Sequence, residues 1–310
     1  MTELAQLKNE VEIVGKAKQI SNVVEKVSKK GKPYLKYTLA VMVENKDKGL
    51  IDEILVTFFS MEGSKPHNSQ KKFLENGKTI ENDGYDEADE VSILANLDFN
   101  EYVSGKSGKY VAFNNLSGVF IHRLDETKKH KVLGNIETII TSIEDNLNEE
   151  GLANGEKLVK GFTVGYQEKI IPIKDAIVPS VLAENFANIY KENQTATLTY
   201  QLIRRAIDKD EPEEEETPQA AFGVVADLNT NKQTFTNYEN KTLIVGGQPP
   251  LKDGTEFTQE EINKANEIRI EEETRVKNTI PQKASDYPEP PKQEDKPSAT
   301  SFGTTDIPDF

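Results

Sequence analysis

Pro33-Tyr34-Leu35-Lys36-Tyr37-Thr38-Leu39-Ala40-Val41-Met42-Val43-Glu44 reads as a β-strand with one apolar face. Leu35, Tyr37, Leu39, Val41 and Val43 recur at period two and form the face a core would take, while Tyr34, Lys36 and Thr38 fall on the other. Segments 10–20, 50–60, 89–103 and 109–121 are also rich in Val, Ile, Leu, Tyr and Phe, and alternate in places. Between the third and fourth of these five strands lies the polar stretch 64–88, whose Gln70-Lys71-Lys72-Phe73-Leu74 portion fits a short helix.

Five strands with a helix between the third and fourth is the order of an OB-fold barrel, an architecture that binds oligonucleotides. The same order recurs downstream, with strands expected at 132–144, 158–167, 169–178, 195–205 and 234–246. The segment Val178–Tyr190 interrupts the second set as a helix, with Ser180 as the expected N-cap and Leu182, Phe186 and Ile189 on one face. The expected fold class is therefore mainly β. Tandem OB-fold-like five-stranded barrels are followed by a helix and a disordered acidic C-terminal tail. The domain boundaries expected are 1–125 for the first barrel, 126–250 for the second, and 251–310 for helix and tail. The helix spans 258–277, with Thr258 and Glu261 forming a capping box and a thin apolar stripe of Ile262, Ala265, Ile268 and Val276. From Asn278 onward Pro, Glu, Lys, Ser and Asp dominate, the composition of a chain that buries too little to order itself.

A net charge of −15 argues at first against a nucleic-acid partner. Its distribution reverses that inference. Residues 1–125 carry 17 Lys/Arg against 19 Asp/Glu, and 126–205 carry 10 against 11. Twelve of the fifteen excess negative charges fall in the run 206–217 and in 248–310, so both barrels are free to present basic faces. The chain has no Cys, and His67, His122 and His130 stand far apart, so no metal or other cofactor is expected. Residues 1–10 have neither a basic leader nor an apolar core, and no apolar run approaches about 18 residues. The expectation is a soluble, cytoplasmic protein without a membrane partner.

No catalytic constellation stands out. Gly246-Gly247 lacks the Lys-Ser/Thr of a phosphate loop, and Gly161-x3-Gly165 lacks a dinucleotide-binding context. The scattered acids lack the spacing and apolar setting of a general acid/base pair. A site for single strands needs cations for phosphates and open aromatic rings for bases. The candidates are Lys30 and Lys32 in the first turn with Tyr34 and Lys36 on the strand that follows. Around the fourth and fifth strands they are Tyr102, Lys106, Lys109 and Tyr110, the Tyr110 ring pointing out if Val111 and Phe113 point in. Thr57-Phe58-Phe59 puts one ring in and the other out without saying which; Phe59 is carried as the outer candidate. The second half offers Lys169, Lys174, Arg204 and Arg205 with Tyr166 and Tyr200, and is expected to contribute less beside its acidic loop.

The last seven residues, Thr304-Thr305-Asp306-Ile307-Pro308-Asp309-Phe310, resemble the acidic C-terminal peptide of bacterial and bacteriophage single-stranded DNA-binding proteins, a run of Asp followed by Ile-Pro-Phe. Here Asp309 splits the Pro-Phe pair, and only Asp306 directly precedes Ile307. The resemblance implies non-specific coating of single-stranded DNA during replication and recombination. It also implies recruitment of replication or recombination proteins through Asp306, Ile307, Pro308 and Phe310. The doubled barrel departs from the short bacterial form and points to a bacteriophage source, hence host cytoplasm. The competing reading is an acidic protein-interaction module, or a nucleic-acid mimic, that binds a replication protein without touching DNA.

Overall fold

A computed structural model describes residues 3–45, 49–126, 128–148, 150–207, 237–252, 254 and 256–279. The acidic run 208–217 and the expected partner-binding residues Asp306, Ile307, Pro308 and Phe310 lie outside the described residues. Five strands come first: β1 (Asn9–Val27), β2 (Pro33–Asn45), β3 (Leu50–Met61), β4 (Glu90–Val103) and β5 (Tyr110–Arg123). Helices α1 (Lys65–Asn76) and α2 (Ile80–Asp83) lie between β3 and β4. Neighbours run β2-β3-β5-β4-β1, and β1 pairs back onto β2, so the sheet closes into a barrel. All pairs are antiparallel except β3–β5. This is the OB-fold.

The second half repeats it. Strands β6 (Lys131–Leu147), β7 (Ala153–Val164), β8 (Ile170–Val178), β9 (Thr195–Ile207) and β10 (Asn237–Gly247) run β6-β7-β8-β10-β9, closed by β6–β9. Helix α3 (Ser180–Ile189) sits between β8 and β9, and α4 (Gln259–Lys277) follows the barrel. The parallel pair is β8–β10, the counterpart of β3–β5. Both barrels therefore have the expected strands and the expected helix position. Among the described residues no helix is long and apolar enough to cross a membrane.

Alternation builds the first core as the sequence requires. Leu35, Tyr37, Leu39, Val41 and Val43 are all buried, joined by Ile54, Val56 and Phe58 from β3. Phe58 stacks on Tyr37 with ring centroids 4.9 Å apart. Gly118 on β5 permits this, because a Cβ there would lie 2.3 Å from a Phe58 ring carbon. Helix α1 closes the barrel end through the fully buried Gln70, whose Nε2 donates to the Val119 carbonyl at 3.0 Å and whose backbone carbonyl accepts from the Tyr37 hydroxyl at 3.3 Å. In α3 the expectation needs correcting. Pro179, not Ser180, is the N-cap, with no side-chain bond, and Ile189 is exposed while Ala183 joins Phe186 in the core.

The barrels join along their first strands. β1 and β6 pair antiparallel from Asn9↔Ile136 to Val14↔Lys131, a reversal that relates the barrels by a local pseudo-twofold axis. Cations of the second barrel then bind acids of the first. Lys169 Nζ meets Asp98 at 2.5 Å, and Arg205 Nε meets Asp52 at 3.1 Å. The Arg204 amide also donates to Asp52, at 3.1 Å.

Candidate nucleic-acid interface

The outer face of β2 and β3 follows from register. Tyr34 lies opposite Met61, Lys36 opposite Phe59, Thr38 opposite Thr57 and Ala40 opposite Leu55. With Phe58 inside, Phe59 points out and is 49% exposed, and Ile51, Leu55 and Met61 on the same strand face are exposed too. Tyr34 packs against Phe59 with ring centroids 5.6 Å apart and planes tilted by 41°. Leaving such side chains in water forgoes roughly 1.5–3 kcal/mol each. An alternating apolar row of this kind is unusual on a free surface.

Cations surround the ring pair. Lys26 on β1 lies opposite Tyr34, and Val24 opposite Lys36. The β1–β2 turn is closed by Ser28 N–H to Lys32 O at 2.8 Å and Gly31 N–H to Ser28 O at 2.9 Å, and presents Lys29, Lys30 and Lys32 as exposed side chains. Gly31 adopts a φ of +76°, the left-handed conformation that makes so tight a turn cheap only for glycine. Among the described residues no carboxylate pairs with Lys26, Lys29, Lys30, Lys32 or Lys36, whereas Lys16 and Lys18 farther along β1 are paired with Glu90 and Glu53. A cleft of about 250 Å³ beside Tyr34 brings Lys71 of α1, 4.0 Å from Glu75, to the same surface, together with the carboxylates of Glu25 and Glu62.

The β4–β5 hairpin continues this face. β5 runs parallel to β3 with Thr57 beside Ser117, so Asn115 and Phe113 follow on the outside. Tyr102 lies opposite Val111, and its ring meets Phe113 edge-on at 6.5 Å. Lys106 and Lys109 are exposed in the turn, held by Ser104 N–H to Lys109 O at 2.9 Å. Because β5 starts at this hairpin and β3 ends near the β1–β2 turn, the two basic turns stand at opposite ends of one surface.

Orientation in the hairpin is the reverse of the alternation assumed from sequence. Val111 and Phe113 share the outer face with Tyr102, and Tyr110 shares the inner one with Phe99 and Glu101. That inner face runs past the barrel and is covered by α4. Arg269 donates to Glu101 Oε1 at 2.6 Å, to Glu101 Oε2 as well, and to the Tyr110 hydroxyl at 3.1 Å. Its guanidinium carbon sits 4.9 Å from the Phe99 ring centre, and Lys277 Nζ sits 5.1 Å from that of Tyr110. Burial pushes the Glu101 carboxyl up, but hydrogen bonds from Arg269 and Tyr110 outweigh it and hold the group below the ordinary carboxylate range. Burial and the Glu101 hydrogen bond push the Tyr110 hydroxyl up. The Tyr110 ring is a brace between helix and hairpin.

In the second barrel the outer face of the equivalent strands is covered at the end next to the β7–β8 turn, the opposite end from that which carries Tyr34 and Phe59 in the first. Phe162, Val164 and Ile170 on β7 and β8, the counterparts of β2 and β3, are buried with Ile139 under Leu4, Leu7, Phe257, Ile262 and Ala265. The expected capping box at Thr258 and Glu261 is present and starts α4 at this face. Glu168 holds both ends of the cover, accepting from Lys264 Nζ at 2.6 Å and from the Leu4 amide at 2.6 Å. Of the remaining candidates, Tyr200 is core and hydrogen-bonds Thr138 at 2.9 Å, Lys174 lies 5.4 Å from the Phe99 ring centre, and Tyr166 is exposed. Sequence reasoning missed Arg269, Phe113, Leu55 and Met61. Arg269 had a signal: it falls seven residues after Ile262 and four after Ala265, on the apolar stripe, where an arginine needs a buried partner. Among the described residues no group of His, Asp or Glu is placed to hold a metal.

The model of the YorF family matches residues 8–279, both barrels and α4. The chain belongs to that family. No curated protein matches it. Among solved structures it is similar to the wild-type single-stranded DNA binding protein from Thermus aquaticus, at 10% identity and a TM-score of 0.48, covering 83% of this chain and 99% of that one. A deletion mutant of the same Thermus protein gives 12% identity and a TM-score of 0.46, covering 83% of this chain and 100% of that one. Likeness at this level says nothing about what the YorF chain binds.

Proposed function

We propose that this protein binds single-stranded DNA without sequence preference, through the outer face of its first barrel. The observation that carries the reading is the Tyr34–Phe59 ring pair, outward-facing and set among Lys26, Lys30, Lys32 and Lys36, which have no carboxylate partner among the described residues. Bases stacked on these rings would put the flanking phosphates within reach of the lysines. Tyr102 with Phe113, and Lys106 with Lys109, would extend the contact toward the β4–β5 turn, with Tyr110 supporting them from behind. The second barrel serves as scaffold, because α4 covers part of the outer face of its β7 and β8.

The wider role is coating of DNA during phage replication and recombination, in the host cytoplasm. Residues 1–125 bind the strand, 126–250 support them, and 251–310 supply the covering helix and the tail. The tip recruits a partner, with Phe310 entering an apolar pocket and Asp306 meeting Arg or Lys at its rim. The deciding experiment titrates poly-dT while tyrosine emission is followed, in the wild type and in Tyr34→Ala/Phe59→Ala. Quenching that saturates in the wild type and needs far more DNA in the variant supports the reading. Emission that stays unchanged overturns it in favour of an acidic module that binds a replication protein. Deleting Phe310 should abolish capture of the partner while oligo-dT affinity stays the same.

A further inference from the structure

Beyond the β4–β5 hairpin lies a cleft of about 400 Å³, walled by the end of β4, the start of β8 and the last two turns of α4. That volume falls within the roughly 300–1,000 Å³ of small-molecule sites. Its apolar lining is Phe99, Val103, Ile170 and Val276. Arg275 stands at its rim with 76% of its side chain exposed. Each cation of the lining meets a carboxylate, Arg269 that of Glu101, Lys169 that of Asp98 and Arg275, at 3.8 Å, that of Glu272, and Glu101 and Glu272 line the cleft themselves. Tyr102 belongs both to the cleft and to the outer face that carries Phe113.

We infer that this cleft is a second binding site, taking one nucleotide of a single strand that has crossed the outer face and run past the β4–β5 turn. The inference rests on the proposed function of that face. The base enters between Tyr102 and Val276, over Ile170, and Arg275 meets the phosphate that leads it in. The apolar walls suit the flat, uncharged ring of a nucleotide, and the exposed Arg275, held by Glu272 only at 3.8 Å, would exchange that carboxylate for the phosphate at the mouth. The slot exists only because α4 crosses the hairpin. A strand long enough to reach it gains contact that a short one lacks.

The chain contains no Trp, so Thr279→Trp, at the cleft rim, places a single reporter there in the 310-residue chain. Oligo-dT of two lengths is added, about 8 and about 30 nucleotides, spanning the roughly 4–16 nucleotides that one OB-fold covers. Thymidine monophosphate is the third ligand, and binding at the outer face is followed in parallel by tyrosine emission of the unsubstituted protein. The expected result is quenching of the Trp by the long strand alone. Arg275→Glu, at an exposed position, should then weaken the long strand about tenfold and leave the short one unchanged. Saturating tyrosine quenching by the long strand with a silent Trp overturns the cleft site and leaves the outer face standing. Trp quenching by the monophosphate as strong as by the strand makes the cleft a free-nucleotide site and also overturns the inference. A silent Trp and silent tyrosines together remove the outer face, and the cleft with it.

Discussion

Replacing Arg269 by Ala tests the brace between α4 and the hairpin. The guanidinium makes two hydrogen bonds to Glu101 and one to the Tyr110 hydroxyl, and rides on the Phe99 ring. The two side chains of the ion pair are only 13% and 11% exposed. Stripping the partner from a buried charge costs about 3–5 kcal/mol. Water still reaches both groups and Tyr110 still donates to Glu101, which argues for the lower end of that range. Loss of the contact with Phe99 adds about 0.5–1 kcal/mol. The expected destabilisation is about 3–4 kcal/mol, or roughly 6–16 °C in Tm for a chain of this size.

The same variant has a pH signature. In the wild type the Glu101 carboxyl is held low, so its stabilisation is complete above the ordinary carboxylate pKa and is lost as pH falls through the lower folded value. In the variant only Tyr110 and the charge of Lys174 still oppose burial, so the carboxyl rises and acid relieves the buried charge. The gap between the two proteins should therefore be wide at about pH 7 and narrow toward about pH 4, near the unperturbed glutamate pKa. Thermal melts at both pH values measure it. A loss under about 1 kcal/mol, the value of an exposed pair, or a gap equal at both pH values, refutes the account. Adding Glu101→Gln to the variant should recover part of the stability, because no charge is then left unpaired.

Tyr34→Ala and Phe59→Ala should each weaken oligo-dT binding by about 1–3 kcal/mol per stacked base with little change in melting temperature, and fluorescence titration reads the loss. Affinity should fall steeply with salt as counterions are released; a flat response between low and moderate salt would remove the lysines from the site. Lys106→Glu and Lys109→Glu should each cost more affinity than Lys191→Glu on the second barrel, and equal losses would mean only a general charge effect. Removing residues 280–310 should leave the melting temperature unchanged and DNA binding intact or tighter, while removal from Thr258 onward should lower stability sharply by uncovering Phe162, Val164 and Ile170. Two truncations that melt alike would show that α4 does not cover the second barrel.

Strand number, strand order and helix position were legible in the sequence because they follow from local patterns. Period-two alternation separates Leu35, Tyr37 and Leu39 from Tyr34 and Lys36 without reference to anything distant, and Thr258 with Glu261 announces the start of α4 three residues apart. Alternation only divides residues into two sets, however, and what packs on each set decides which is the inside. In β2 the five apolar residues settle the matter by themselves. In Phe58-Phe59 both sets carry a ring, and the choice falls to Tyr37 and Gly118, which leave room for one of them. At Tyr110 and Phe113 it falls to Arg269, about 160 residues away, which claims Glu101 and Tyr110 and leaves Phe113 outside. The inequality of the barrels has the same origin. Phe162, Val164 and Ile170 read as ordinary strand residues, and only the docking of α4 and Leu4 makes their outer face a core while that of Phe59 and Leu55 stays open. Burial belongs to pairs of surfaces brought together by the whole chain, and no local spacing encodes the partner.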